Sequence, residues 1–81
     1  MISIPNMSIV QRDDWIEITI VGTYDGSGYM YKILPSGLII RAEMQIGWSG
    51  PRIEQTVSMY QMLTDIATYA YWNIDAMENG L

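Results

Sequence analysis

The stretch from Pro51 to about Met77 has the pattern of one long helix, which limits how the rest of the chain can fold. Ser49 or Gly50 can cap its start, and Pro51 suits a first helical turn because the N–H that proline lacks would have no partner there. No further glycine or proline follows before Gly80. At about 100° per residue the polar side chains fall on one stripe, which we expect to face water. This stripe holds Glu54, Ser58, Gln61, Asp65, Thr68 and Asp75.

The opposite side of the predicted helix is apolar, and we expect it to pack on a sheet formed by the preceding chain. Its centre is lined by four aliphatic side chains, Leu63, Ala67, Ala70 and Ile74. Leu63→Asp is therefore expected to unfold the domain, because it would bury a charge without a partner. The apolar arc is wider than one sheet face needs.

Trp72 breaks the helical pattern, because it falls in the middle of the polar stripe with Met62 and Tyr69 beside it. One interpretation is that the sheet curls, or the N-terminal segment folds over, and covers these side chains. The other is an exposed aromatic–methionine patch that binds a partner. If the patch binds, Trp72→Ala should leave folding intact and weaken partner binding by about 2 kcal/mol or more.

Before the helix, alternating apolar and polar residues predict antiparallel strands at about 15–21, 29–34 and 38–46. Residues 2–10 carry an interrupted strand pattern, since Pro5 suits only an edge strand or a bulge. The expected core faces are Ile16, Ile18 and Ile20, then Tyr29, Tyr31 and Ile33, then Leu38, Ile40, Ala42, Met44 and Ile46. The expected outward residues of the last strand are Ile39, Arg41, Glu43 and Gln45.

These elements predict one α+β domain over residues 1–81. It is an antiparallel three- to four-stranded β-meander covered on one face by a single long C-terminal helix. A chain of 81 residues has no room for a second domain.

The composition argues against an enzyme. There is no histidine and no cysteine, which removes the commonest general base and the thiolate metal ligands. Asp13, Asp14 and Glu17 match no calcium-loop spacing, so a solvated turn is the favoured interpretation. The glycine-rich residues 25–28 precede neither a lysine nor a helix, which favours a hairpin loop over a phosphate site. We expect no catalytic residue, no metal and no cofactor.

The charge balance points away from nucleic acid and toward protein. Four basic and nine acidic residues give a net charge of −5, whereas a phosphate-backbone binder needs a basic footprint. An acidic surface can instead occupy a basic site on another protein. The N-terminus lacks the features of a signal peptide, and no apolar run approaches the ~20 residues of a membrane span. We therefore expect a cytoplasmic protein without membrane contact.

The large hydrophobic residues are of the types enriched at protein interfaces. There are seven methionines, six tyrosines and three tryptophans, with no phenylalanine. Each tryptophan also has a structural explanation that needs no binding partner of another kind. Trp15 could pack under the N-terminal segment, Trp48 could fill the corner between helix and sheet, and Trp72 could meet a sister chain. The candidate partner-binding residues are Trp72, Tyr69, Met62, Asp65, Trp48 and Trp15.

In length, acidity, freedom from histidine and cysteine, and layout, the chain resembles small phage-encoded inhibitors, notably anti-CRISPR proteins. The resemblance covers the meander (15–21, 29–34, 38–46) and the helix (51–77), and it carries over no individual functional residue. It implies a stoichiometric inhibitor in the host cytoplasm that binds a bacterial defence effector complex. Its acids would oppose basic residues that hold nucleic acid, and the aromatic patch would anchor the contact.

Two other hypotheses stay open at the level of sequence. A homo-oligomeric structural or adaptor module would use the wide apolar helix face to form a homodimer. A small-molecule binder or enzyme would use the tyrosine-lined space between sheet and helix, although no set of residues supports it.

Overall fold

A computed structural model describes residues 4–24, 26–45 and 53–79 of the chain. Trp48, the expected helix cap at 49–51 and the inward position of Ile46 lie outside the described residues. The described elements are five strands and one helix: β1 (Met7–Gln11), β2 (Ile16–Val21), β3 (Ser27–Ile33), β4 (Ile39–Gln45), β5 (Glu54–Val57) and α1 (Met59–Glu78).

The five strands form one antiparallel sheet in the order β1-β2-β3-β4-β5, so each strand pairs with its neighbours in sequence. This confirms the predicted α+β architecture of a meander with one C-terminal helix, with five strands instead of three or four. The two edge strands are β1, which falls in the interrupted strand pattern of residues 2–10, and β5, which was not predicted. The first is limited to Met7–Gln11 because Pro5 and Asn6 form a turn before it, in which Asn6 has a φ of 58°.

The last strand, β5, corrects the predicted start of the helix. Residues 54–57 pair with β4, with Glu54 opposite Ala42 and Val57 opposite Ile39. Thr56 and Val57 are β-branched and suit a strand. The helix begins only at Met59, where Ser58 caps it by accepting a 3.0 Å hydrogen bond from the Gln61 N–H.

The side of α1 that meets the sheet also differs from the expectation. Its buried residues are Met62, Ala70, Asn73 and Ala76. Leu63 is 55 % exposed, so the expectation that it lies in the core is wrong and Leu63→Asp has no reason to unfold the domain. The sheet-facing side runs from one edge of the apolar arc, at Ile66 and Ala70, to the part of the predicted polar stripe that holds Asp65, with Met62 between them. The expectation that Asp65 faces water is therefore wrong, because its hydrogen-bond partners lie on the sheet.

The two faces of β4 are exchanged relative to the prediction. Arg41 lies opposite Tyr31 and Ile39 opposite Ile33, so the odd-numbered residues of β4 share the face that α1 covers. Ile39 is accordingly buried in the core, and Leu38 is exposed. Ala42, which the sequence also placed inward, is buried, although strand alternation puts it on the other face.

The core lies between the centre of the sheet and α1. Its buried cluster comprises Ile18, Tyr31, Ile39 and Met62, with Met7, Tyr29, Ile33, Val57 and Ile66 packed against it. The inward positions predicted for Ile18, Ile20 and Tyr31 are confirmed, whereas Ile16 is exposed near the end of the sheet.

Candidate protein-binding surface

A polar cluster joins the sheet to α1 and involves one of the predicted binding residues, Asp65. Arg41 Nη1 donates a 2.6 Å hydrogen bond to Asp65 Oδ2, and Tyr31 Oη donates to the same oxygen at 2.8 Å. Gln61 Nε2 donates to Asp65 Oδ1 at 2.8 Å, and Arg41 Nη2 donates to Gln55 Oε1 at 3.0 Å. Both oxygens of this largely buried carboxylate are therefore satisfied within the chain.

The electrostatics of this cluster favour a fixed ion pair and a protonated tyrosine. Burial, and then the hydrogen bond to Asp65, raise the pKa of Tyr31 well above its usual 10.0. Burial alone would lower the pKa of Arg41, but the hydrogen bond and the charge of Asp65 outweigh it and raise that pKa. The cluster therefore orients α1 on the sheet.

A chain of aromatic contacts runs from this cluster to the surface. The Arg41 guanidinium lies 4.5 Å from the ring centroid of Tyr29, which makes an edge contact with Tyr69 at 5.7 Å. Tyr69 in turn meets Trp72 edge-on at 5.5 Å. Tyr69 is partly buried and Trp72 is 45 % exposed, so this series of aromatic contacts ends in one accessible indole ring.

The structure separates the residues that the sequence grouped as one aromatic–methionine patch. Met62 is only 3 % exposed because it packs in the core against the sheet, so the covered interpretation holds for Met62 but not for Trp72. Asp65 is held by Arg41, and Tyr69 packs between Tyr29 and Trp72. Trp72 alone among these four helix residues presents a large accessible surface. Met62 and Asp65 are therefore corrected from surface contacts to internal ones.

Trp15 lies on the sheet face that α1 does not cover. Its ring is 5.4 Å from Lys32 Nζ, and it is partly buried. The indole Nε1 is buried, with no hydrogen-bond partner in the described part of the chain. Beside it, Glu17 forms a 2.9 Å salt bridge with Arg12. The described residues contain no group of three or more acidic side chains that could hold a metal ion.

The largest accessible apolar feature of α1 is a second side of the helix, away from the sheet. We call it the α1 stripe, and it consists of Tyr60, Leu63, Ala67, Tyr71 and Ile74. Tyr60 is 80 % and Tyr71 is 71 % exposed. The exposed side chains of Met59 and Met77 flank the two ends. Sequence reasoning missed this surface because it assigned the same periodicity to the core, although the excess width of the arc was the available signal.

Asn73 is a second residue that the sequence analysis passed over. Its side chain is 1 % exposed, accepts a 2.7 Å hydrogen bond from the Thr23 N–H, and donates 2.9 Å bonds to the carbonyls of Pro5 and Val21. The amide thus joins α1 to the N-terminal segment and to the end of β2. An asparagine inside an otherwise apolar helix edge was the only sequence signal for this role.

Comparisons with known protein families, with curated proteins and with solved structures find no significant match to this chain. Within the described residues, no helix has the length and apolar character needed to cross a bilayer.

Proposed function

We propose that this protein is a non-enzymatic protein-binding domain, and the exposure of the α1 stripe is the observation that supports it. The core uses Met62, Ala70 and Ala76 of α1, so the fold gains little from Tyr60, Leu63 and the other stripe residues. An exposed row of tyrosine and leucine, continued by the half-buried Ile74, is typical of a surface that another protein covers.

The particular function that we propose is inhibition of a bacterial defence effector complex in the host cytoplasm, in the manner of an anti-CRISPR protein. The resemblance in size, acidity and layout supports this proposal. The position of the apolar surface favours steric occlusion over charge occlusion, because the α1 stripe carries no acidic residue and Asp65 is bound to Arg41. The net charge of −5 would then act at longer range, by steering the domain toward a basic nucleic-acid site.

The proposal is tested by a tagged pull-down from a bacterial lysate that contains CRISPR effector complexes, with bound proteins identified by mass spectrometry. We expect the wild type to retain a stoichiometric complex and Leu63→Asp to lose it, because the substitution places a charge in the apolar contact. Thr68→Asp adds the same charge to an exposed position of α1 outside the stripe and should retain the complex. Circular dichroism of each variant verifies that it is folded.

The same experiment separates the two accessible surfaces of α1. Trp72 lies on the opposite side of the helix from the stripe, so Trp72→Ala tests the contact predicted from the sequence. Loss of the complex with Trp72→Ala and retention with Leu63→Asp would move the binding surface to Trp72. Failure of the wild type to retain any effector complex would contradict the inhibitor proposal for that host.

A further inference from the structure

We infer that the α1 stripe binds a second copy of this chain, so that two α1 helices pair in antiparallel orientation about Ala67. This inference rests on the proposed function in one respect, namely that the stripe is a protein-binding surface. It names the occupant of that surface from three properties: its symmetry, its charge and its area.

The stripe has the symmetry that a two-fold interface requires. Counted from Ala67, its residues lie four and seven positions away in both directions, at Leu63 and Tyr71 and at Tyr60 and Ile74. In an antiparallel pair with the two-fold axis at Ala67, each Tyr60 would meet the partner's Ile74 and each Leu63 would meet the partner's Tyr71. An interface between identical chains must be self-complementary in this way, because the same patch serves on both sides.

The side chain at the centre of the stripe is small. Ala67 would face its own copy at the crossing point, where a methyl group lets two helices approach to about 8 Å between their axes. The larger Tyr60 and Tyr71 lie toward the ends, opposite the aliphatic Ile74 and Leu63. Small residues at the crossing and large ones away from it give a packed interface without a central clash.

The charges of α1 select the antiparallel orientation. Its first turn contains no acid, its last turn contains no base, and Asp75 and Glu78 lie near its C-terminus. A parallel pair would bring these acids together, along with the negative ends of the two helix dipoles. The antiparallel pair separates them and places each C-terminus near the partner's N-terminus.

The exposed area is sufficient for a stable pair. The exposed fractions of Met59, Tyr60, Leu63, Tyr71 and Met77 amount to on the order of 700 Å² of side-chain surface, close to the ~800 Å² per partner of standard interfaces. The stripe runs from Tyr60 to Ile74 within α1, which is about 21 Å at 1.5 Å per residue.

The absence of cysteine allows a direct test by cross-linking. Ala67→Cys places one thiol of each copy at the proposed axis, so oxidation should give a disulfide-linked dimer in nearly all of the protein. Thr68→Cys places the thiol on the neighbouring residue but outside the stripe, and should form little disulfide-linked dimer under the same oxidation. Equal cross-linking of the two variants would overturn the proposed axis.

Sedimentation equilibrium from about 1 µM to about 200 µM measures the association itself. We expect a reversible dimer for the wild type and for Thr68→Asp, and an affinity of self-association at least about 100-fold lower for Leu63→Asp. A wild type that stays monomeric over this range, or a dimer that Leu63→Asp leaves intact, would overturn the inference.

Failure of this inference can be distinguished from failure of the proposed function. If the wild type is monomeric but retains an effector complex that Leu63→Asp loses, the second copy is the wrong occupant and the protein-binding function stands. If it is monomeric and retains no such complex, both are overturned. Where both are found, the effector should compete with the second copy, and excess effector should dissociate the dimer.

Discussion

The side chain of Asn73 connects three parts of the chain that are far apart in sequence. It is almost fully buried and bonds to backbone groups of Pro5, Val21 and Thr23. Sequence analysis can identify a polar residue on an apolar helix edge, but its partners lie 50 to 68 positions away. Their proximity is a property of the tertiary structure, because the helix must cross the sheet at one particular position to create it.

Replacing this amide should destabilise the fold substantially. Asn73→Ala removes a buried amide and leaves the partly buried Thr23 N–H and Val21 carbonyl without their partner, so we expect the free energy of unfolding to fall by about 2–4 kcal/mol. Asn79→Ala, a matched change at an exposed amide, should cost less than about 1 kcal/mol. Urea denaturation monitored by circular dichroism measures both, and equal effects of the two variants would contradict the structural role of Asn73.

The buried hydroxyl of Tyr31 makes stability depend on alkaline pH. Burial, followed by the hydrogen bond to Asp65, raises the pKa of Tyr31 in the folded state above its usual 10.0. The unfolded chain releases this proton near pH 10, so the contribution is fully present below about pH 10 and is lost as the pH rises toward the folded value. The pKa of Tyr24 is also raised, chiefly by its hydrogen bond to Asp75, and the pKa of Tyr29 is raised chiefly by burial, so both add to the loss of stability at alkaline pH.

We therefore expect the free energy of unfolding of the wild type to decrease above about pH 10, and Tyr31 to contribute about 1.4 kcal/mol per pH unit to that decrease. Tyr31→Phe should be less stable than the wild type at pH ~7, by about 1 kcal/mol for the lost hydrogen bond, and the difference should shrink as the pH rises. Urea unfolding at pH values of about 7, 10 and 11 measures the difference. A constant difference over this range would show that Tyr31 does not link protonation to folding.

The orientation of α1 about its own axis decides which residues form the core and which form a surface. Periodicity correctly predicts a helix with an apolar and a polar side, but Met62, beside the predicted polar stripe, faces the sheet, and Leu63, at the centre of the predicted apolar side, is exposed. The ion pair of Arg41 with Asp65 and the hydrogen bonds of Asn73 set the choice, because each of these polar groups would be left without a partner in another orientation.

Two adjacent positions on α1 test this orientation. Met62→Ala removes a side chain that is 3 % exposed and should lower the free energy of unfolding by about 2–4 kcal/mol. Leu63→Ala shortens a side chain on the exposed side of the helix and should lower the free energy of unfolding by less than about 1 kcal/mol. Urea unfolding at low protein concentration, where the second copy contributes least, gives both values. The reverse order would mean that the helix presents its other side to the sheet.

The strand pairings explain the remaining differences between expectation and structure at the level of whole elements. Alternation along β4 defines two faces but does not say which is inward, and the pairing of Arg41 with Tyr31 makes that choice. Residues 54–57 fit a helical period when read alone. They form β5 because their backbone groups pair with β4, and Ser58 then caps a helix that begins about two turns later than predicted.

Taken as a whole, the molecule places one amphipathic helix on one face of an open sheet, with apolar residues on two sides of that helix. One side forms the core with Ile18, Tyr31 and Ile39, and the other side is the α1 stripe. A small domain has little apolar surface to spare, so a row of large side chains left outside the core indicates binding. The proposed inhibitor function and the proposed dimer are two ways in which this single surface can be covered.

The sequence by itself determined the class of this protein: a meander of strands followed by one helix, with Ile18, Ile20 and Tyr31 inside. These features follow from local periods of two and of 3.6 residues, and local patterns are legible in a sequence. Only the tertiary structure decided the inward face of β4, the side of α1 that is exposed, and the internal positions of Met62 and Asp65. The physical reason is that these outcomes depend on hydrogen bonds and packing between distant residues, which favour one of several arrangements that local periodicity leaves equivalent.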